Sequence, residues 1–146
     1  MKHILCVCIG NICRSPLAQV LLQRELPHAK VWSAGLGALV GYPADPLSIT
    51  IAADNQLDLS QHSAQQINTW LCQQADMILV MEQAHKVQLE GQFPLVRGKV
   101  FRIGHYGQFD VADPYRQPRE AFDHAWEGIS QGVADWVPRI RQLSRR

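Results

Sequence analysis

The stretch from Ile4 to Leu21 admits few structures. Ile4-Leu5-Cys6-Val7 is an apolar run with no residue suited to water, the pattern of a parallel strand buried on both faces. Leu17, Val20 and Leu21 follow at helical spacing. Ser15 reads as the N-cap of that helix and Pro16 as its first residue, where a missing N–H takes nothing from the helix ladder. Between strand and helix lies a loop, Cys8-Ile9-Gly10-Asn11-Ile12-Cys13-Arg14. In such a loop backbone N–H groups converge, and the helix dipole favours negative charge.

Cys8 opens this loop and Arg14 closes it, a Cys-x5-Arg-Ser spacing. A thiol among inward-pointing N–H groups, at a helix N-terminus and beside a guanidinium, is favoured as its thiolate and so as a nucleophile. The same groups suit the oxygens of a phosphoryl dianion, with the planar fork of Arg14 gripping two of them. Gly10 lets the backbone approach a ligand closely, and Asn11 tolerates a left-handed conformation. Ser15 is placed to hydrogen-bond the sulfur. A departing oxyanion also needs a proton, and the segment before the last helix offers Asp110 and Asp113. Asp113 is the better candidate, because Pro114 stiffens its backbone and Tyr115 supplies a ring to line a deep cleft. None of these steps requires a metal.

Cys8 to Pro16 resembles the phosphate-binding loop of the low-molecular-weight protein tyrosine phosphatases, Cys-x-x-Asn-x-Cys-Arg-Ser-Pro, at all six fixed positions. Ser33-Ala34-Gly35, Asp76 to Met81 and Asp113-Pro114-Tyr115 also agree. Gly35 to Gly41 and Asp113 to Arg116 are most similar to the bacterial branch associated with exopolysaccharide export. The resemblance implies hydrolysis of phosphotyrosine in proteins through a cysteinyl-phosphate on Cys8, with Arg14 binding the phosphoryl group and Asp113 as general acid and base. It implies a phosphate-binding loop of Ile9, Gly10, Asn11, Ile12, Cys13 and Ser15, and a cleft walled by Leu39, Val40 and Tyr115. Inorganic phosphate and other oxyanions are the implied small ligands, no cofactor is implied, and the implied partner is a membrane-associated bacterial tyrosine kinase. Cys13 has two readings: a small buried packing residue or, as the family shares, a disulfide partner that shields Cys8 under oxidation.

A length of 146 residues is one domain, 1–146, able to bury roughly two thirds of its unfolded surface. A net charge of +1 gives no reason to expect nucleic acid or an anionic membrane, and Arg139, Arg141, Arg145 and Arg146 read as a solvated face. No apolar run approaches the ~20 residues of a membrane span, so no insertion and a cytoplasmic location are expected. The four cysteines are then expected to be reduced.

Strands are expected at Lys30 to Ala34, Asp76 to Met81 and Lys99 to Ile103. Helices are expected from Asp45-Pro46 through Asn55, over Gln65 to Gln73, over Glu82 to Glu90, and from Glu120 onward, with Pro138 ending or kinking the last near Val137. Leu36, Leu39, Val40 and Tyr42 lie on a glycine-punctuated loop and either fold into the core or wall the site. The alternation predicts an α/β, flavodoxin-like, doubly wound three-layer sandwich: an open four-stranded parallel sheet with helices on both faces. Ligands bind such sheets at strand carboxyl ends, beside the switch in strand order, where Cys8 falls.

Thiol-dependent arsenate reductase is the rival enzyme, yet its relay needs two further mid-chain cysteines and only Cys72 is there. A catalytically silent phosphotyrosine-binding module is the other class, and it would have no use for Asp113. Cys6, Cys8 and Cys13 lack the second ligand pair of a zinc site, and His3, His28, His62, His85, His105 and His124 are scattered. No Gly-Lys-Ser/Thr follows the loop, so it does not cradle a nucleotide in the Walker manner.

Overall fold

Period-two alternation in the first strand divides its side chains between two cores. In the computed structural model, which describes residues 1–144, strand β1 spans His3–Cys8. Ile4, Cys6 and Cys8 join one hydrophobic cluster, and Leu5 and Val7 join the other. Strand β3, Met77–Val80, splits in the same way, with Met77 and Leu79 on the first side and Ile78 and Val80 on the second. Burial on both faces is why these segments carry no polar alternation.

Strands β2 (Lys30–Gly35) and β4 (Val100–Arg102) complete a parallel sheet in the order β2-β1-β3-β4. Helices α1 (Arg14–Glu25), α2 (Pro46–Asp54) and α5 (Arg119–Ser144) cover the face that carries Cys8. Helices α3 (Thr69–Gln74) and α4 (Gln83–Gln92) place Leu71, Cys72 and Leu89 against the other, with a 3-10 turn at Pro94–Val96. This is the expected doubly wound sandwich. From β1 the chain crosses to β2 on one side, and later from β3 to β4 on the other. The strand order therefore reverses between β1 and β3, and a crevice opens at their carboxyl ends.

Asp45 caps α2 as expected, its Oδ1 accepting from Leu47 N–H at 2.9 Å with Pro46 at the first position. Three expectations are corrected. Helix α1 begins at Arg14 after Cys13, so Ser15 is not the N-cap and Pro16 is the third helical residue. The reason is that the Ser15 hydroxyl is engaged by Cys8 and Asn11 instead. Residues 65–68 are not helical. Gln65 accepts from the Gly35 N–H, and Ile67 donates to the Gly35 carbonyl, so tertiary pairing delays α3 until Asn68 caps it through Leu71 N–H. Finally, α5 does not end near Val137 but continues through Pro138 to Ser144. Trp136, Val137 and Ile140 are buried around the proline, and Arg141 donates to the Glu25 carbonyl at 3.0 Å. Packing against α1 thus outweighs one missing helix hydrogen bond. The reading of Arg145 and Arg146 lies outside the described residues.

Candidate active site

Strand β1 delivers Cys8 to the crevice, and the loop after it is held from outside by its carbonyls. Cys8, Ile9, Gly10 and Ile12 accept from the N–H groups of Leu36, Gly37, Leu39 and Asp45, at 2.8 to 3.1 Å. The Asn11 carbonyl pairs with His62 Nε2 at 2.6 Å. A loop whose carbonyls all turn outward presents its N–H groups inward. Among the described residues, none of the backbone N–H groups of residues 9–13 donates to another group of the protein. Since buried donors are nearly always paired, this ring of donors is suited to an anion. Close approach is required at Gly35 rather than at Gly10. A Cβ on Gly35 would collide with the Ile9 carbonyl, whereas one on Gly10 would meet only Ile12, at an ordinary 3.7 Å.

Behind the loop runs a chain of polar groups whose directions can be worked out. The Gln65 N–H donates to Asn11 Oδ1 at 2.9 Å, which fixes the amide, so Asn11 Nδ2 donates both to Ser15 Oγ at 2.8 Å and to Ser33 Oγ at 2.9 Å. Ser33 passes its own proton to Gln19 Oε1 at 2.6 Å. Ser15 Oγ, which accepts from Asn11, lies 2.9 Å from Cys8 Sγ with its own proton free to donate to the sulfur. Asn11 and Ser15 are fully buried, and Asn11 holds φ of 59°, the left-handed conformation expected of it. Burial, with Asp45 nearby, pushes the Cys13 thiol up, so it stays protonated. All four cysteines are unpaired.

Arg14 is almost completely buried, and Nη1 donates to Glu82 Oε2 and to the Val111 carbonyl at 2.8 Å. Its Nη2 lies 3.6 Å from Asp113 Oδ2, an ion pair without a hydrogen bond. Asp113 Oδ1 accepts from the Tyr115 N–H at 3.0 Å, and nearly half of the side chain faces solvent. Asp110 is elsewhere engaged, bound to the Gln83 N–H and to Arg102.

The cleft these groups form has a volume of about 340 Å³. Cys8, Ile9, Gly10, Ile12, Cys13 and Arg14 make its floor; Gly37 and Leu39 stand on one side, Asp113, Tyr115 and Arg116 on the other. Leu39 and Tyr115 are where the sequence reading put them. Val40 is not: it is 66% exposed and does not line the cleft. A turn closed by Tyr42 N–H on the Leu39 carbonyl, with Gly41 at φ of 83°, sends successive side chains in different directions. Sequence reasoning missed Glu82, His62, Gly37 and Arg116. Only Glu82 carried a usable signal, as a carboxylate just past the end of β3 at the switch point. No cluster of three or more His, Cys, Asp or Glu side chains placed to hold a metal occurs among the described residues.

Residues 3–146 match the sequence pattern of the family described as low molecular weight phosphotyrosine protein phosphatase. The chain belongs to that family. It is accordingly a protein-tyrosine-phosphatase. The phosphatase is 53% identical to a Ralstonia nicotianae protein named "Probable low molecular weight protein-tyrosine-phosphatase EpsP", over 98% of this chain and 99% of the relative. It is 48% identical to the low molecular weight protein-tyrosine-phosphatase Wzb of Escherichia coli K12, over 95% of each chain. In structure it is similar to Vibrio vulnificus Wzb in complex with benzylphosphonate, with a TM-score of 0.92, 43% identity and coverage of 94% of this chain and 98% of that one. No described helix of the phosphatase is long and apolar enough to cross a membrane.

Burial lowers the affinity of His62 for a proton, so the folded phosphatase holds this ring neutral at a pH where the unfolded chain already charges it. The unfolded state then binds the extra proton as pH falls below ~6.5, and this contribution to stability, complete above that pH, is lost on further acidification. His62→Gln, which keeps an N–H donor for the Asn11 carbonyl, is expected to flatten stability against pH between about pH 7 and 5, by at most ~1.4 kcal/mol per pH unit. Denaturant midpoints across that range check it; an unchanged slope would mean that His62 takes up its proton without unfolding.

Proposed function

We propose that the phosphatase hydrolyses phosphotyrosine in proteins in two steps at Cys8. The observation that carries this reading is one cleft holding the Cys8 sulfur, the Arg14 guanidinium and the Asp113 carboxyl, floored by backbone N–H groups with no acceptor in the protein. In the first step the thiolate attacks phosphorus, an S–P bond forms as the P–O(aryl) bond breaks, and protonated Asp113 gives its proton to the departing oxygen. In the second, ionised Asp113 takes a proton from water, whose oxygen displaces sulfur and releases inorganic phosphate. Equatorial charge is met by the loop N–H groups and Arg14, and sulfur is steadied as leaving group by the Ser15 hydroxyl.

A floor set below walls of Leu39 and Tyr115 suits a phosphate at the end of an aromatic ring, and the relative crystallised with benzylphosphonate holds a ligand of that shape. The physiological substrate we assign is a phosphotyrosyl segment of a membrane-associated bacterial tyrosine kinase of exopolysaccharide export, with the enzyme acting in the cytoplasm. The arsenate reductase reading loses ground: Cys72 is fully buried in the core on the far side of the sheet from Cys8. It cannot join a relay with Cys8 without dismantling the sheet. The silent-module reading leaves the placement of Asp113 beside Arg14 without purpose.

The test is acid quench during turnover of an aryl phosphate. A phosphothiol on Cys8 is expected, and turnover is expected to be insensitive to EDTA. Asp113→Asn cannot activate water, so the adduct should accumulate with an activated aryl ester, while kcat for esters with poor leaving groups falls by about 10²- to 10⁴-fold. Absence of any phosphothiol in both proteins would refute the mechanism.

A further inference from the structure

Arg116 stands at the rim of the cleft in a turn that glycine would fit better. The Gln117 N–H donates to the Pro114 carbonyl at 2.9 Å, making Arg116 the third residue of a four-residue turn, and its φ is 63°. Positive φ at that position is a place for glycine, and an arginine there carries backbone strain. Its guanidinium carbon lies 5.2 Å from the centre of the Tyr115 ring, an arrangement that holds the charge at the rim. Arg14, Arg102 and Arg119 all pair with carboxylates; among the described residues no carboxylate is within ion-pair distance of Arg116. Of the residues lining the cleft, Arg14 and Arg116 are the cations, and Arg116 is the one not tied into the floor.

We propose that Arg116 is a specificity-determining residue that receives a second anionic group of the substrate, a carboxylate or phosphate on a residue flanking the phosphotyrosine. This rests on the phosphotyrosine reading above. The floor accommodates one phosphoryl dianion, and a cation at the rim, held against the ring of Tyr115, meets whatever follows or precedes the buried tyrosine. An acidic flank finds a partner there. A basic flank meets like charge, so the same residue selects for one and against the other.

The experiment compares kcat/KM for two phosphotyrosyl peptides that differ only in glutamate or glutamine beside the phosphotyrosine. At low ionic strength the wild type is expected to favour the acidic peptide by roughly three- to fivefold, the size of a solvent-facing ion pair, and to lose that preference at high salt. Arg116→Gly is expected to bring the ratio to about one with a melting temperature unchanged within ~2 °C, because glycine relieves the positive φ. Arg116→Lys should keep the preference and Arg116→Glu should invert it. An equal ratio in wild type and Arg116→Gly overturns the proposal, as does a parallel loss on both peptides accompanied by a lower melting temperature. Should the wild type turn over neither peptide, the phosphotyrosine reading fails first and this inference with it.

Discussion

Cys8→Ser is expected to lower turnover of an aryl phosphate by at least ~10⁴-fold while leaving inorganic phosphate bound nearly as well as before. The two halves follow from different parts of the loop. Phosphate is expected to be met by N–H groups that no other group of the protein engages and by the Arg14 guanidinium, and neither depends on the sulfur. Chemistry depends on the sulfur proposed as nucleophile, 2.9 Å from the Ser15 hydroxyl, and an alcohol in its place is a far weaker nucleophile than a thiol. Initial rates give the first half. The second is read from the rise in melting temperature with added phosphate, which follows from ligand binding to the folded state alone. Turnover within tenfold of wild type would remove Cys8 as the nucleophile; loss of phosphate-induced stabilisation would mean that the sulfur shapes the loop as well.

The sequence made the sheet and the strand-loop-helix unit that carries Cys8 and Arg14 legible for local reasons. Ile4 to Val7 and Met77 to Val80 have no way to satisfy their side chains except burial on both faces, so strand type and position were decided within each segment. Cys8 and Arg14 are tied by a spacing that one strand-loop-helix unit brings together. What escaped was settled across the fold. Gln65 looked helical by pattern but surrendered its carbonyl to Gly35, thirty residues away in the chain. Ser15 looked like a cap, yet a cap and a partner for Cys8 compete for the same hydroxyl, and the buried sulfur and Asn11 won it. Pro138 was read from its own geometry, while burial of Trp136 and Ile140 on either side decided the outcome. Glu82 and His62 bear on the site only through Arg14 and the Asn11 carbonyl, contacts with no trace in the spacing of residues.

The buried position of Arg14 leads to a second large effect. One nitrogen, Nη1, is committed to Glu82 and the Val111 carbonyl, and the side chain still lines the cleft and reaches toward Asp113 with Nη2. A planar fork can do both at once; a single ammonium cannot, since a lysine nitrogen that meets Glu82 leaves the cleft without its fixed cation. Arg14→Lys is therefore expected to lower kcat by about 10³-fold, within the 10²- to 10⁵-fold that fixed donors and catalytic arginines contribute to phosphoryl transfer. Stability should fall less than in Arg14→Ala, which leaves Glu82 unpaired at the edge of the core beside a nearly buried His85. Guanidinium added to Arg14→Ala should restore part of kcat, because the space left by the side chain keeps the carboxylates that held it. Glu82→Gln is the control for positioning: it retains an acceptor for Nη1 but loses charge, so kcat should drop only about tenfold, with KM for an aryl phosphate little changed. If Arg14→Lys instead kept kcat within tenfold, the guanidinium would be a structural bridge between Glu82 and Val111, and stabilisation of the transferring phosphoryl group would rest on the loop N–H groups alone.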